Sequence, residues 1–154
     1  MARFGMGKDT DDIADPILLD EDWYTFEILE DPETKKNATM RENPADPKAG
    51  YNIVIPVATV SDLPEENGRK WTVYLPMPKP EDEETFSKRG MSIYDEKMQR
   101  IVDFALAFQG QVSGEEVIIN KGGRGMMRVL QVIDKGTGAI INDLDTFGEY
   151  KPAE

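Results

Sequence analysis

Residues Gly68 to Pro78 read GRKWTVYLPMP, and the alternation within them decides the fold class. Side chains of an extended chain alternate between two faces, so Trp71, Val73 and Leu75 share one face and Lys70, Thr72 and Tyr74 the other. The first face is expected in a core. The second sets a cation beside a phenol, and two readings compete for it. Lysine, threonine and tyrosine suit the solvated side of any half-buried strand. They also suit a surface on which flat ligands such as nucleic-acid bases stack.

Working outward from this strand, SDLPEENG just before it is turn chemistry ending in Asn67 and Gly68. Ahead of the turn, YNIVIPVATV is apolar on both faces and β-branched, a second strand whose Pro56 predicts a bulge or an edge position. Two such strands joined by such a turn predict an antiparallel pair. Farther upstream, ETKKNATMRENPADPKAG keeps no apolar period and reads as a long loop. Before it, EDWYTFEILEDP alternates as a first strand, with Tyr24, Phe26 and Ile28 on one face and Trp23, Thr25 and Glu27 on the other.

Downstream, a proline-rich and acidic connection leads to a helix that Ser92 can cap, with Asp95 in a capping-box-like place. Tyr94, Met98, Ile101, Ala105 and Phe108, with Phe104 alongside, form one core-facing stripe. Glu96 and Arg100 are spaced for an i, i+4 pair on the wet side, and Gly110 is expected to end the helix. A short strand-like EEVII and an NKGGRG turn precede MMRVLQVI, which DKGTG joins in a hairpin to AIIND. The last residues, with Phe147 and Tyr150, are expected to cover the barrel. Strand, strand, strand, helix, strand, strand is the order of a five-stranded Greek-key barrel of the OB type: mainly β, one helix between strands three and four.

Composition bounds the function. A chain of 154 residues makes one ordinary domain. It has no cysteine and no histidine, which removes disulfides, thiolate or imidazole metal sites and imidazole-based triads, and points away from an enzyme. No metal or cofactor is expected. No run is long enough for a membrane span and no secretory signal is visible, so the expected location is the host cytoplasm without membrane contact. The formal charge is −12, but residues 1–33 hold eleven acids against Arg3 and Lys8 and so carry −9 of it. Residues 1–20 read as a flexible acidic arm, 21–150 as the OB-like domain and 151–154 as a short tail.

The stretches DEDWYTFEILE, NGRKWTVYLP, MQRIVDFALAFQG and GGRGMMRVLQV together resemble small phage proteins encoded among replication and recombination genes, some of them similar to single-stranded-DNA-binding proteins. The resemblance is one of pattern and covers about residues 20 to 150. It implies an OB-type barrel acting on single strands during phage DNA replication or recombination. This chain departs from it in one respect: the acidic run is amino-terminal, whereas such binders commonly carry theirs at the carboxyl end to recruit partner proteins.

A groove for single strands needs cations along the phosphates and rings under the bases. The candidate stacking residues are Tyr74 and Trp23, with Trp71 the weaker candidate because its partners Val73 and Leu75 make it look like core. The candidate phosphate-neutralising residues are Arg69 and Lys70, Lys35 and Lys36 in the long loop, and Arg124, Arg128 and Lys135 around the last hairpin. The acidic arm is either a solvated tail or a phosphate mimic that competes for this groove or docks on a basic replication or recombination partner. Homo-oligomers are compatible with the sequence. Two other classes remain: a non-catalytic phage interaction or structural protein, such as a decoration subunit or an acidic inhibitor of a host protein, and a metal-dependent nuclease built on Glu33 with Lys35 or Asp46 with Lys48.

Overall fold

Along β4 (Lys70–Pro76), Val73 and Leu75 are buried while Lys70, Thr72 and Tyr74 are exposed, the alternation that the sequence predicts. The computed structural model describes residues 1–12, 17–145 and 149–154, so Phe147 lies outside the described residues. β4 pairs antiparallel with β3 (Tyr51–Thr59) across the turn ending in Gly68, which has a φ of 76° and so occupies a region that glycine enters without a Cβ clash.

The other side of β3 is covered by β1 (Asp22–Ile28) and β2 (Glu33–Lys36), lying end to end. From Ile28 opposite Val57 to Glu33 opposite Val54, five residue steps face three, so the chain bulges by two residues here. Pro56 sits opposite this step, and its carbonyl accepts the Leu29 N–H at 2.9 Å. The proline therefore does mark a bulge, but the bulge belongs to the neighbouring strand, and β3 is central rather than an edge.

β1 also pairs with β7 (Arg124–Ile133), which is joined by a hairpin to β8 (Ile140–Leu144) and pairs near its start with β9 (Lys151–Pro152). The pairing order is β4-β3-β1-β7-β8, with β2 and β9 as short additions, giving seven strands, all antiparallel. The fold is mainly β with one main helix, and among the described residues no sheet closes. The two strands beyond the predicted five come from segments without apolar periodicity. β2 is exposed at every position, and α1 (Ala38–Glu42) follows it in what the sequence presents as a loop. Asn37 holds that segment together. Its Oδ1 accepts the N–H groups of Met40 and Gly50, and its Nδ2 donates to the Lys48 carbonyl.

The main helix, α2 (Ile93–Ala107), begins at Ser92, whose hydroxyl accepts the Asp95 N–H at 3.0 Å. Its Ile101, Phe104 and Ala107, with Phe108 just beyond, share one buried cluster with Phe26, Ile55, Leu75 and Val129 of four strands, and Ala105 is buried as well. Phe104 and Phe108 stack with centroids 4.2 Å apart. The left-handed residue after the helix is Gln109 (φ 62°), not Gly110, and its side chain accepts the Arg124 N–H. A small hairpin follows, β5 (Gln111–Ser113) with β6 (Glu116–Ile118). GGRG proves to be more than a turn: a Cβ on Gly125 would lie 2.7 Å from both the Ala107 carbonyl oxygen and the Phe108 ring, so the glycine lets the helix end press against β7.

At the other end of the sheet the predicted arm ends early. Residues 1–11 are exposed, but Leu19 is only 2% exposed and belongs to the core. Its N–H donates to Asn142 Oδ1, and its carbonyl accepts from Asn142 and Gln131. Two residues earlier, the Ile17 carbonyl accepts from Arg69 at 2.7 Å. Residues 17–19 thus form a strap from the start of β4 to β7 and β8. Beneath it the Tyr24 hydroxyl donates to the Asp20 carbonyl. Burial, then the carboxylates of Glu66, Asp20 and Asp22, raise the pKa of this phenol against a smaller opposing pull from Arg69.

Candidate nucleic-acid interface

Residues directly opposite each other in an antiparallel ladder point to the same side. The register therefore sorts the predicted site residues by face. One row across the outward face runs Lys70, Ala58, Glu27, Arg124, and another runs Tyr74, Val54, Glu33. Lys35 falls in the row of Asn52 and Pro76, and Trp23 faces Arg128. Tyr74, Lys70, Lys35, Trp23, Arg124 and Arg128 thus share the side of the sheet away from the core. Three predicted residues do not join them. Lys36 is one step out of phase with Lys35, Arg69 spends its guanidinium on the strap, and Lys135 lies in the turn beyond β7.

The members of the face are not equivalent. Tyr74 is 55% exposed, flanked by Thr72 and Pro76 on its own strand and by Val54 and Pro56 on β3, a strip with little charge. Trp23 is half-buried and Lys151 Nζ sits 3.9 Å from its ring centroid, so one face of that indole is already taken by a cation. Arg124 Nε is 3.1 Å from Glu27 Oε1, and Lys35 Nζ is 3.5 Å from Glu33 Oε2. Both pairs are solvent-exposed, and such pairs are worth only about 0–1 kcal/mol, so either cation can turn to a phosphate at small cost. Among the described residues no carboxylate pairs with Lys70, Lys36, Arg128 or Lys135. Trp71, the weaker stacking candidate, is half-buried, packs against the core and meets Phe26 edge-on at 5.8 Å.

A second concave region was not legible in the sequence. The unpaired edges of β4 and β8 face each other across a cleft of ≈ 380 Å³ lined by Thr72, Val73 and Tyr74 on one side and by Asp143 and Leu144 on the other. Arg100 and Tyr150 stand at its end and also line a larger groove of ≈ 940 Å³ between α2 and the C-terminal residues. The predicted Glu96–Arg100 pair does not form. Arg100 Nε instead donates to Tyr150 Oη at 3.2 Å, while the Tyr150 ring packs edge-on to Phe104 at 5.1 Å. The groove floor is apolar, with Met91, Ile93, Leu106 and Pro152, and Leu106 is 58% exposed. The one sequence signal for it was Leu106 itself, an apolar residue on the helix face opposite the core stripe.

Two lysines tie the segment after β4 to α2 and to the residues before β3. Lys79 Nζ donates to the Pro47 and Ala49 carbonyls, its N–H donates to Asp82, and Lys97 of α2 donates to the same carboxylate at 2.9 Å. Partial burial pulls the Asp82 pKa upward, but the hydrogen bonds from Lys97 and from the Lys79 backbone outweigh it and leave the carboxyl below its ordinary range. Asp46, which the nuclease reading pairs with Lys48, accepts the Lys48 N–H. Among the described residues no three carboxylates gather as a metal site. No family model, curated protein or solved structure matches the chain.

Proposed function

We propose that this protein binds single-stranded nucleic acid, with ssDNA as the substrate class in view, on the outward face of β3 and β4, and that it does so without catalysis. The pairing order β4-β3-β1-β7-β8, with α2 between β4 and β7, supports reading the fold as an OB-type barrel opened at one seam. Ligands of OB folds lie on the strand 2–3 face between the first and last loops. In this chain that face is the strip around Tyr74, and those loops are residues 37–50 and the β7–β8 turn with Lys135.

The observation that carries the reading is Tyr74: a largely exposed ring on a weakly charged strip, with Lys70 on the same strand face and Lys35, Arg124 and Arg128 on the same side of the sheet. Tyr74 supplies a stacking surface, and the cations follow the backbone. A role beside the replication or recombination machinery of a phage, in the host cytoplasm, accords with the pattern resemblance. A labelled oligothymidine titrated at two salt concentrations tests it. Binding that weakens with salt, that Tyr74→Ala reduces and that Lys35→Glu/Lys36→Glu also reduces supports the reading. Absence of binding at low salt refutes it.

One observation favours a second reading. The groove beside α2 exposes Leu106 beside the half-buried Met91 in a concave setting of mixed charge, as a protein-interaction module would.

A further inference from the structure

An unpaired strand edge is a row of free donors and acceptors, and folded proteins blunt it with charge, proline, bulges or short length. Among the described residues the outer strands of the sheet differ in this respect. β2 is four residues long and charged at Glu33, Lys35 and Lys36, and β9 has two residues. β8 carries Asp143, whose carboxylate also takes the Leu144 N–H at 2.8 Å. β4 has seven residues, an unbroken ladder with β3, and no charge between Lys70 and Pro76.

Which backbone groups of β4 are free follows from that ladder. The Thr59 N–H donates to the Arg69 carbonyl and the Met77 N–H to the Tyr51 carbonyl, so these are hydrogen-bonded pairs. Such pairs alternate along an antiparallel ladder. The N–H and C=O groups of Trp71, Val73 and Leu75 therefore point toward β3, and those of Lys70, Thr72 and Tyr74 point away from it. Pro56 fits this phase, since it stands opposite Thr72, where pairing to β4 asks for no N–H. None of the outward groups has a partner among the described residues. The row stops at Pro76, which has no N–H, and at Gly68, whose N–H turns back to the Thr59 carbonyl at 2.8 Å.

This row is complementary to itself. Antiparallel pairing of two copies centred on Thr72 sets Thr72 opposite the partner's Thr72 and Lys70 opposite the partner's Tyr74. Three N–H groups and three carbonyls on each strand then make six hydrogen bonds, whereas a register centred one residue to either side leaves one end of the row unmatched. The only charged side chain of the strand, Lys70, meets a phenol ring rather than another lysine. Cross-strand threonine pairs and cation–ring pairs are both favourable. On the other face Trp71, only half-buried in one copy, falls opposite the partner's Val73.

We infer that β4 pairs with β4 of a second copy of this chain about Thr72, forming a symmetric dimer with one sheet continuous across it. The pairing also completes the proposed stacking site, and this consequence, though not the dimer itself, rests on the nucleic-acid reading. Within one chain Lys70 lies four residues from Tyr74, about 13 Å along the strand. The partner's Lys70 stands directly opposite the ring. Each tyrosine then has a cation beside it for the phosphate of a stacked base.

The absence of cysteine makes a clean test available. Opposed residues of a hydrogen-bonded pair have Cα atoms about 5.5 Å apart, within disulfide range. The two Tyr74 positions of the dimer are about 13 Å apart along the strands. In full-length protein under mild oxidation, Thr72→Cys is expected to give a disulfide-linked dimer in high yield and Tyr74→Cys only a small fraction of that yield. Similar yields from the two variants overturn the pairing. Thr72→Pro removes an N–H that β3 does not use, and is expected to sediment as a monomer at concentrations where wild type is a dimer. It should also lose the rise of melting temperature with protein concentration that a dimer shows. A wild type that sediments as a monomer throughout, with concentration-independent melting, overturns the inference. No nucleic acid is present in these experiments, so their failure is distinct from failure of the functional reading. For the consequence, Thr72→Pro is expected to bind oligothymidine more weakly than wild type at low salt, and equal affinity overturns it.

Discussion

The outward strip of β3 and β4 and the groove beside α2 lie at opposite extremes of the same acidic protein. The strip is flat, weakly charged and built on two hydrogen-bonded strands. Its key ring, Tyr74, is 55% exposed and stands at the edge strand, where it also lines the cleft toward β8. The groove is concave and lined by three carboxylates and three cations, and its key ring, Tyr150, is packed on Phe104 and hydrogen-bonded to Arg100. A net charge of −12 therefore does not make every surface hostile to a polyanion. The acids concentrate in the first 33 residues, while the outward face keeps its cations either without a carboxylate partner among the described residues or in weak exposed pairs.

Substitutions can break this contrast, with the largest expected effect first and the smallest last. Phe104→Ala should cost about 3–5 kcal/mol, because it empties a fully buried site that supports both the core and Tyr150. Chemical denaturation would show a lowered midpoint, and both surfaces should fail together. Tyr74→Ala should leave that midpoint in place, since the ring is exposed, yet weaken oligothymidine binding by about 1–3 kcal/mol. A variant that loses stability as well would mean the tyrosine is structural.

Asp82→Asn should cost about 1.5–3 kcal/mol, the range for hydrogen bonds to a charged group, by releasing Lys97 and Lys79. Its sign with pH follows from the lowered pKa. The stabilisation is present above the unfolded carboxylate pKa and is lost as pH falls through the lower folded value. Melting curves of the variant and the wild type should therefore converge in acid, and a gap that persists there would contradict this role. The smallest effect is electrostatic. Lys70→Glu should make the logarithmic dependence of binding on salt shallower by about 0.7 for the lost phosphate contact, plus a uniform loss of affinity.

Much of the fold was legible because β1, β4, β7 and α2 each bury one face, and burial writes a period into the sequence, while β3, apolar on both faces, was legible from its β-branched run and the turn after it. The inward side chains Phe26, Leu75, Val129 and Phe104 follow that period. β2 and β9 were not legible, since an exposed strand has no apolar face to signal it. The strap was hidden for a related reason: Leu19 is a single buried side chain in a polar stretch, fixed by amides from Gln131 and Asn142 far along the chain. For the candidate site, alternation alone put Tyr74 and Lys70 on one face. Register was needed to add Lys35, Arg124 and Arg128 and to set Lys36 apart. The diversion of Arg69 to Ile17, the lysine over Trp23 and the choice of Tyr150 over Glu96 by Arg100 depend on contacts between distant segments, which spacing does not encode.

The most direct test is a titration of ¹⁵N-labelled protein with oligothymidine at low salt, read by amide chemical shifts. The largest shifts are expected at Val54, Lys70, Thr72 and Tyr74, with smaller ones at Lys35 and Arg128. Shifts confined to α2 and residues 149–154, or none at all, would contradict a nucleic-acid surface on the outward strip.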